Sequence, residues 1–217
     1  MTTFCGDSST AELPLFQGED GGAIPTSPLQ LYFREINAVT AAGAYRRWHY
    51  LGDTPFLSQI NFGAYFEGEL QGSISYGPPN AKYLKGYWTP ETQNDWWEIK
   101  RLAMSEACPR NSESRFIGVT LRLIKRTQLV RGVITYADDG QGHVGTIYRA
   151  SGFTALGLTA QKTDFYIDGK IKQRGKVSGL DGEWKPRSRK WLFVKRFDSG
   201  RTISPTGAKN QKENTHT

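Results

Sequence analysis

Hydrophobic positions change their spacing from segment to segment along the chain, and each change predicts an element. Residues 1–27 mix Gly, Ser, Thr, Pro and acidic residues without a period, the pattern of a draped N-terminal arm. Leu29, Leu31 and Phe33 then alternate with polar neighbours as a strand does. Asn37 stands before Ala38-Val39-Thr40-Ala41-Ala42-Gly43-Ala44-Tyr45 as an N-cap stands before a helix, which should end near Gly52. From Asn61 to Tyr76, Phe62, Ala64 and Phe66 alternate before Glu67-Gly68, and Leu70, Ile74 and Tyr76 follow it, which predicts a hairpin. Pro78-Pro79 and the aromatic stretch from Tyr83 to Asn94 break the pattern and predict a long excursion.

The second half repeats a strand and helix order. Trp97 to Met104 reads as a central strand, and Cys108-Pro109-Arg110-Asn111 as a turn. Ser112 or Asn111 caps a helix reaching about Thr127, because Phe116, Val119, Thr120, Leu123 and Ile124 share one helical face. Val133 to Ala137 predicts a short buried strand, Gly142 to Ser151 a second helix stopped by Gly152, and Phe153 the entry to another strand. Asp168-Gly169 marks a hairpin, and Trp191 to Phe197 a final strand. The order is mixed α/β, in one domain over residues 28–200, followed by a disordered tail over residues 201–217.

Composition narrows the class. At 217 residues and 37% hydrophobic, the chain can bury one sizeable core. Cys5 and Cys108 fit neither a disulfide framework nor a zinc cluster, which points to a reducing compartment. No run of about 18 apolar residues exists, and Met1 to Ala11 lack the basic start and apolar core of a secretory signal, so neither export nor membrane insertion is expected. The net charge of +7 is unevenly placed: Lys170 to Thr217 hold 13 basic against 4 acidic residues. Lys185, Arg187, Arg189 and Lys190 interleave there with Trp184 and Trp191, offering phosphate contacts beside stacking surfaces. A solvated basic face is the alternative.

Strand, capped helix, strand, short helix and then Tyr148-Arg149-Ala150-Ser151-Gly152-Phe153 resembles the GNAT N-acetyltransferase fold, whose closing helix ends in Tyr-x-x-x-Gly-Phe. The expected architecture is therefore a GNAT-like mixed central sheet flanked by helices, with a basic C-terminal extension. More narrowly, Tyr45-Arg46-Arg47-Trp48-His49-Tyr50-Leu51-Gly52, Phe62-Gly63-Ala64-Tyr65, Glu98-Ile99-Lys100-Arg101-Leu102 and Tyr136-Ala137-Asp138-Asp139-Gly140 resemble the Mom DNA-modification proteins of Mu-like phages. That resemblance implies transfer of a carbamoylmethyl group to N6 of adenine in phage DNA, which shields it from host restriction enzymes. It also implies double-stranded DNA as partner and the host cytoplasm as location. The oligomeric state is left open, a homodimer among the options.

The donor is less plain. A GNAT cradles the CoA pyrophosphate in a glycine-rich turn at a helix N-terminus, whereas Cys108 to Arg115 contain no glycine and carry Glu113. Acyl transfer from acetyl-CoA would also give an amide, not the N–CH₂ bond of a carbamoylmethyl product. Acetyl-CoA and a glycine-derived donor both stay open, as does iron.

Among candidate residues, the resemblance makes His49, Tyr50 and Tyr148 imidazole and phenol ligands for iron; a structural His49 and a packing Tyr148 are the plain alternatives. Asp138-Asp139 ends a strand where a carboxylate can accept a proton, and Asp139 is the favoured one, its neighbour serving as a cap. Arg101, inside a strand that reads as buried, orients Asp139, holds a donor carboxylate, or fills a structural pair. Ser114 and Arg115 at the helix start bind donor or cap, and Tyr65 lines the cleft or packs in it. His143 lies near DNA or donor. Because adenine N6 is paired in a duplex, the base must flip, with Tyr83, Tyr87, Trp88, Trp96 and Trp97 as candidate walls. A conventional acetyltransferase and a non-catalytic DNA-binding protein are the competing readings.

Overall fold

The computed structural model describes residues 24–52, 55–79, 93–172 and 177–197. The excursion's Tyr83, Tyr87 and Trp88, most of the arm and the tail lie outside the described residues.

Seven strands form one sheet in the order β1-β2-β3-β4-β5-β10-β6, where β1 is Tyr32–Ile36, β2 Ile60–Phe66, β3 Glu69–Gly77, β4 Trp96–Met104, β5 Gly132–Asp138, β6 Thr154–Leu158 and β10 Lys190–Arg196. Neighbouring strands run antiparallel except β4 and β5, which are parallel. A separate three-stranded sheet, β8-β7-β9, joins Lys170–Ile171, Thr163–Ile167 and Glu183–Pro186. The mixed α/β architecture agrees with the expected class.

Local chemistry explains most of these bounds. The β2–β3 hairpin turns through Glu67 at φ 48° and Gly68 at φ 88°, the left-handed pair a two-residue turn demands. Helix α1 (Ala38–Trp48) is capped by Asn37, whose side-chain oxygen accepts the Thr40 N–H at 2.8 Å. Strand β1 begins later than its alternation suggested. Ser27 and Gln30 close a capping box around Pro28–Gln30, which makes that segment a 3-10 turn. Helix α2 (Ser112–Thr127) keeps its expected span, and α3 (Thr146–Ala150) is shorter than expected, since Gly142 and Gly145 are left-handed.

The two faces of the large sheet are covered by different helices. On one, Phe116, Ile117, Leu121 and Ile124 of α2 pack on Phe62, Ile74, Tyr76, Trp97, Ile99 and Val133. Each such side chain contributes about 1.5–3 kcal/mol when fully buried. On the other, Ala41 and Tyr45 of α1 meet Ala103, and Ala44 meets Tyr65 and Leu70. A buried polar chain fastens α1 there: the Tyr45 hydroxyl shares a 2.7 Å bond with Ser75, accepts from Ser73 at 3.2 Å, and Ser75 donates to Asn61 at 2.5 Å. Burial raises the Tyr45 pKa to about 12, so it is a neutral structural donor. Among the described residues no helix is long and apolar enough to cross a membrane.

Candidate active site

Parallel pairing of β4 with β5 covers only Trp96–Glu98 against Gly132–Ile134. Past Glu98 no further ladder residue joins them, and β4 also bulges against β3 between the Ser75 and Tyr76 pairings. A cleft of about 530 Å³ opens where the strands part, walled by β4 residues 98–104, β5 residues 136–138, the end of α1 and the start of α3. A charged trio inside a central strand, Glu98, Lys100 and Arg101, is tolerable because it faces this opening. Glu98 and Lys100 also pair with each other at 3.2 Å.

Helix α1 brings His49 and Tyr50. His49 is the C-cap of α1, its N–H donating to Tyr45 O at 2.9 Å. Its Nδ1 accepts the Leu51 N–H at 3.1 Å, which leaves Nε2 as the available ring nitrogen and puts the neutral ring's proton there. Burial first, then the charge of Arg101 and the neighbouring His143, lowers its pKa from 6.5 to about 4. The Tyr50 ring stacks on it at 4.6 Å. Burial raises the Tyr50 pKa, with Asp138 adding to the rise.

Arg101 is 5% exposed, and one guanidinium nitrogen donates to Gly52 O at 2.7 Å. Its plane lies 4.7 Å from the Phe56 ring centre and 5.8 Å from that of Tyr45. It is a fixed cation on the cleft wall, held by a carbonyl and rings.

Across the cleft stands Tyr148, on α3. Gly145, at φ +75°, starts that helix, and a Cβ there would run into the Phe193 ring, so only glycine lets α3 settle. The Phe153 N–H donates to Tyr148 O at 3.0 Å, and the Tyr148 ring contacts those of Phe153 and Phe193 at 5.8 and 5.4 Å. The Tyr-x-x-x-Gly-Phe signature thus both packs the core and sets a phenol into the cleft. Burial raises its pKa, against a smaller opposing pull from Thr135.

The structure separates the two aspartates. Asp138 lines the cleft, its Oδ1 accepting the Gly140 N–H at 3.0 Å and its Oδ2 lying 4.0 Å from Lys190 Nζ. Asp139, the residue favoured from the sequence, is not among the lining residues, and its Oδ1 accepts from Trp191 Nε1 at 3.2 Å. Arg101 donates to Gly52 O, a bond of the structural kind among the three roles open to it. His143 lines the cleft, its N–H donating to Asp138 O at 3.1 Å.

Other expected residues fall elsewhere. Tyr65 is buried between Tyr32, Arg34 and the α1 side chains, away from the cleft lining. Ser114 donates to Asn111 O at 3.1 Å, and Arg115 Nε to Pro28 O at 2.8 Å. Neither lines the cleft, whereas Glu113 does. Trp96 and Trp97 are core residues on opposite sheet faces rather than walls for a base. In the basic segment, Lys185 pairs with Glu183 at 2.5 Å, Arg187 forks onto Asp164, and Arg189 donates to Thr159 O at 2.9 Å. Lys190 reaches the cleft. Sequence reasoning passed over Glu98 and Lys100, although charges within a central strand are themselves a signal of a cavity; it read Asp138 as a cap, which its bond from Gly140 N–H makes it.

His49, Tyr50 and Tyr148 line one cleft and supply one imidazole and two phenols; the phenols suit iron once deprotonated, and His49 would offer Nε2 only by moving its proton to Nδ1 and giving up the Leu51 bond. Among the described residues no group of three or more His, Cys, Asp and Glu side chains is placed to hold a metal.

A model of the Mom protein family matches residues 30–196. A curated relative, the methylcarbamoylase mom of Escherichia phage Mu, is 29% identical over 133 residues, covering 58% of this chain and 48% of the relative. The chain thus spans about half the length of that relative. A crystal structure of a protein described as a phosphinothricin N-acetyltransferase superposes with a TM-score of 0.50 at 15% identity, covering 76% of this chain and 98% of the other. The ribosomal-protein-S5-alanine acetyltransferase of Vibrio fischeri gives 0.49 at 13% identity, over 80% and 96%. The fold is that of the GNAT acetyltransferases.

Proposed function

Because this chain belongs to the Mom protein family, we propose that it is a DNA-modifying transferase that places a carbamoylmethyl group on adenine N6 in phage DNA and so protects it from host restriction enzymes. The observation that carries this reading is the cleft where β4 and β5 part, which gathers a carboxylate, a fixed cation and phenols on a transferase fold.

The reaction must form an N6–CH₂ bond, break the bond from that CH₂ to the donor's leaving group, which departs with the electron pair, and remove one N6 proton. Adenine N6 is a weak nucleophile, so loss of that proton has to accompany attack, and a carboxylate within reach serves best. Asp138 is the carboxylate on the cleft wall, and we assign it that role. Asp139 then steadies the site through Trp191. Arg101, desolvated and already oriented, holds a carboxylate or other anionic part of the donor. The Tyr148 phenol stays protonated at neutral pH and donates a hydrogen bond where negative charge grows on the donor. His49 is neutral at pH 7, so Nε2 is a hydrogen-bond donor beside it. If iron is bound, His49, Tyr50 and Tyr148 would hold it, and it would activate the donor as a Lewis acid or redox centre.

The turn before α2 supports a donor held otherwise than in an ordinary acetyltransferase. Ser112 and Ser114 donate to Pro109 O and Asn111 O, and Glu113 sets a negative charge at the helix start. The adenine reaches the cleft by leaving the duplex stack.

The test is DNA from cells expressing the chain, digested with restriction enzymes that cut at adenine-containing sites. Wild-type protein is expected to give resistant DNA and Asp138→Asn sensitive DNA. Sensitive DNA in both cases would refute the reading.

A further inference from the structure

Beside the cleft lies a second hollow of about 180 Å³, sharing Glu98, Lys100, Tyr136 and Lys190 with it and completed by Lys162, Arg187, Ser188 and a few small neighbours. The two differ in charge. The cleft balances Lys100, Arg101 and Lys190 with Glu98, Glu113 and Asp138. The hollow is lined by Lys100, Lys162, Arg187 and Lys190 and by one carboxylate, Glu98, with Asp164 engaging Arg187 from outside and Asp138 4.0 Å from Lys190. A neutral base suits the first, and a phosphate the second.

Its rim is built rather than draped. Residues 159–162 and 187–190 are laced together: Arg187 N–H donates to Lys162 O at 2.7 Å, Thr159 N–H to Lys190 O at 2.8 Å, and Lys190 N–H to Thr159 Oγ1 at 3.0 Å. The Arg187 guanidinium is engaged by Asp164 and stiffens the rim. Orientation is fixed too. Glu98 and Tyr136 follow Trp96 and Ile134 at two-residue steps, and those pack with Leu192 and Val194, on the face away from α2 and its turn. The hollow therefore opens on the sheet face opposite α2 and its turn.

We propose that this hollow is a phosphate-binding subsite for the DNA backbone, in which Lys162 and Lys190 hold a phosphate next to the nucleotide whose base enters the cleft. It rests on DNA being the acceptor. A flipped nucleotide keeps its phosphodiester links, so its base and adjoining phosphate need adjacent sites of different charge.

The experiment measures binding of the full chain to a duplex oligonucleotide across a salt series. Lys162→Ala/Lys190→Ala is expected to weaken binding about tenfold or more at low salt and to flatten the slope of log K on log salt by roughly 1, since each phosphate contact contributes about 0.9. Lys162→Arg/Lys190→Arg, which keeps the charge, should retain the wild-type slope, as should Lys125→Ala on α2. A neutral methylphosphonate beside the target adenine should weaken wild-type binding and leave the double alanine variant unaffected. Wild-type affinity and slope in the double alanine variant, with wild-type protein binding DNA, would overturn the subsite alone. Loss of ADP binding with DNA binding intact would assign the hollow to a donor phosphate and overturn it as well. A wild-type chain that binds no DNA overturns the DNA-modifying reading itself.

Discussion

Of the helix ends that meet the cleft, those of α1 and α2 meet it in opposite ways. The C-terminal end of α1 opens outward: Trp48, His49, Tyr50 and Leu51 line the cleft, and the Gly52 carbonyl beyond them anchors Arg101. The N-terminal end of α2 closes on itself. Hydroxyls of Ser112 and Ser114 return to turn carbonyls, Arg115 leaves for Pro28, and Glu113 is the one side chain of residues 105–115 in the lining. A helix N-terminus attracts anions, so a carboxylate there answers the helix's own positive end and leaves less for a ligand phosphate. The comparison teaches that this chain keeps the frame of an acetyltransferase while, on the proposed reading, its chemistry sits on the far wall.

The sharpest way to break that contrast is at the cleft carboxylate. Asp138→Asn should lower the rate of modification by about 10²–10⁴-fold, the range for loss of a general base, while Asp139→Asn lowers it far less. A time course of adduct formation distinguishes them, and the reverse ranking would return the role to Asp139.

Next in size is the far side of the cleft. Gly145→Ala places a methyl group against Phe193 at a left-handed position, so α3 and Tyr148 must shift. A loss of about 2–4 kcal/mol is expected from strain and overpacking together, read as a lowered denaturant midpoint.

A gentler probe is pH. The folded His49 pKa of about 4 lies below the ordinary 6.5, so the unfolded chain binds the extra proton between those values. The stability contributed by the neutral ring is complete above pH 6.5 and is lost as pH falls toward 4. Urea midpoints at pH 7 and pH 5 should differ in that direction, and His49→Gln should narrow the gap.

The smallest effect belongs to the closed helix end. Ser114→Ala should change the modification rate by less than about threefold, because its hydroxyl serves a turn carbonyl worth about 1 kcal/mol. A large rate loss there, with the fold intact by circular dichroism, would reopen the α2 turn as a donor site.

Much of the frame was legible because its elements rest on local signals. The Phe116-to-Ile124 spacing fixed α2, Glu67-Gly68 fixed the hairpin, and Asn37 capped α1 as its type suggests. Strand β9 escaped notice because Glu183–Pro186 is exposed throughout and has no apolar period. The site was half legible. The family resemblance and residue types together named His49, Arg101 and Tyr148, all of which line the cleft. They could not separate Asp138 from Asp139, since the two sit on either side of an element boundary: β5 ends at Asp138 and Asp139 opens the 3-10 turn that follows. Nor could they show that Arg115 is occupied by Pro28, a partner 87 residues away.

The most direct test of the central claim is mass spectrometry of nucleosides from DNA of cells expressing the wild-type chain or Asp138→Asn. The account predicts a carbamoylmethyl adduct on deoxyadenosine with the wild-type chain and its near absence with the variant. Unmodified deoxyadenosine from wild-type cells, or an acetyl adduct in its place, would contradict it.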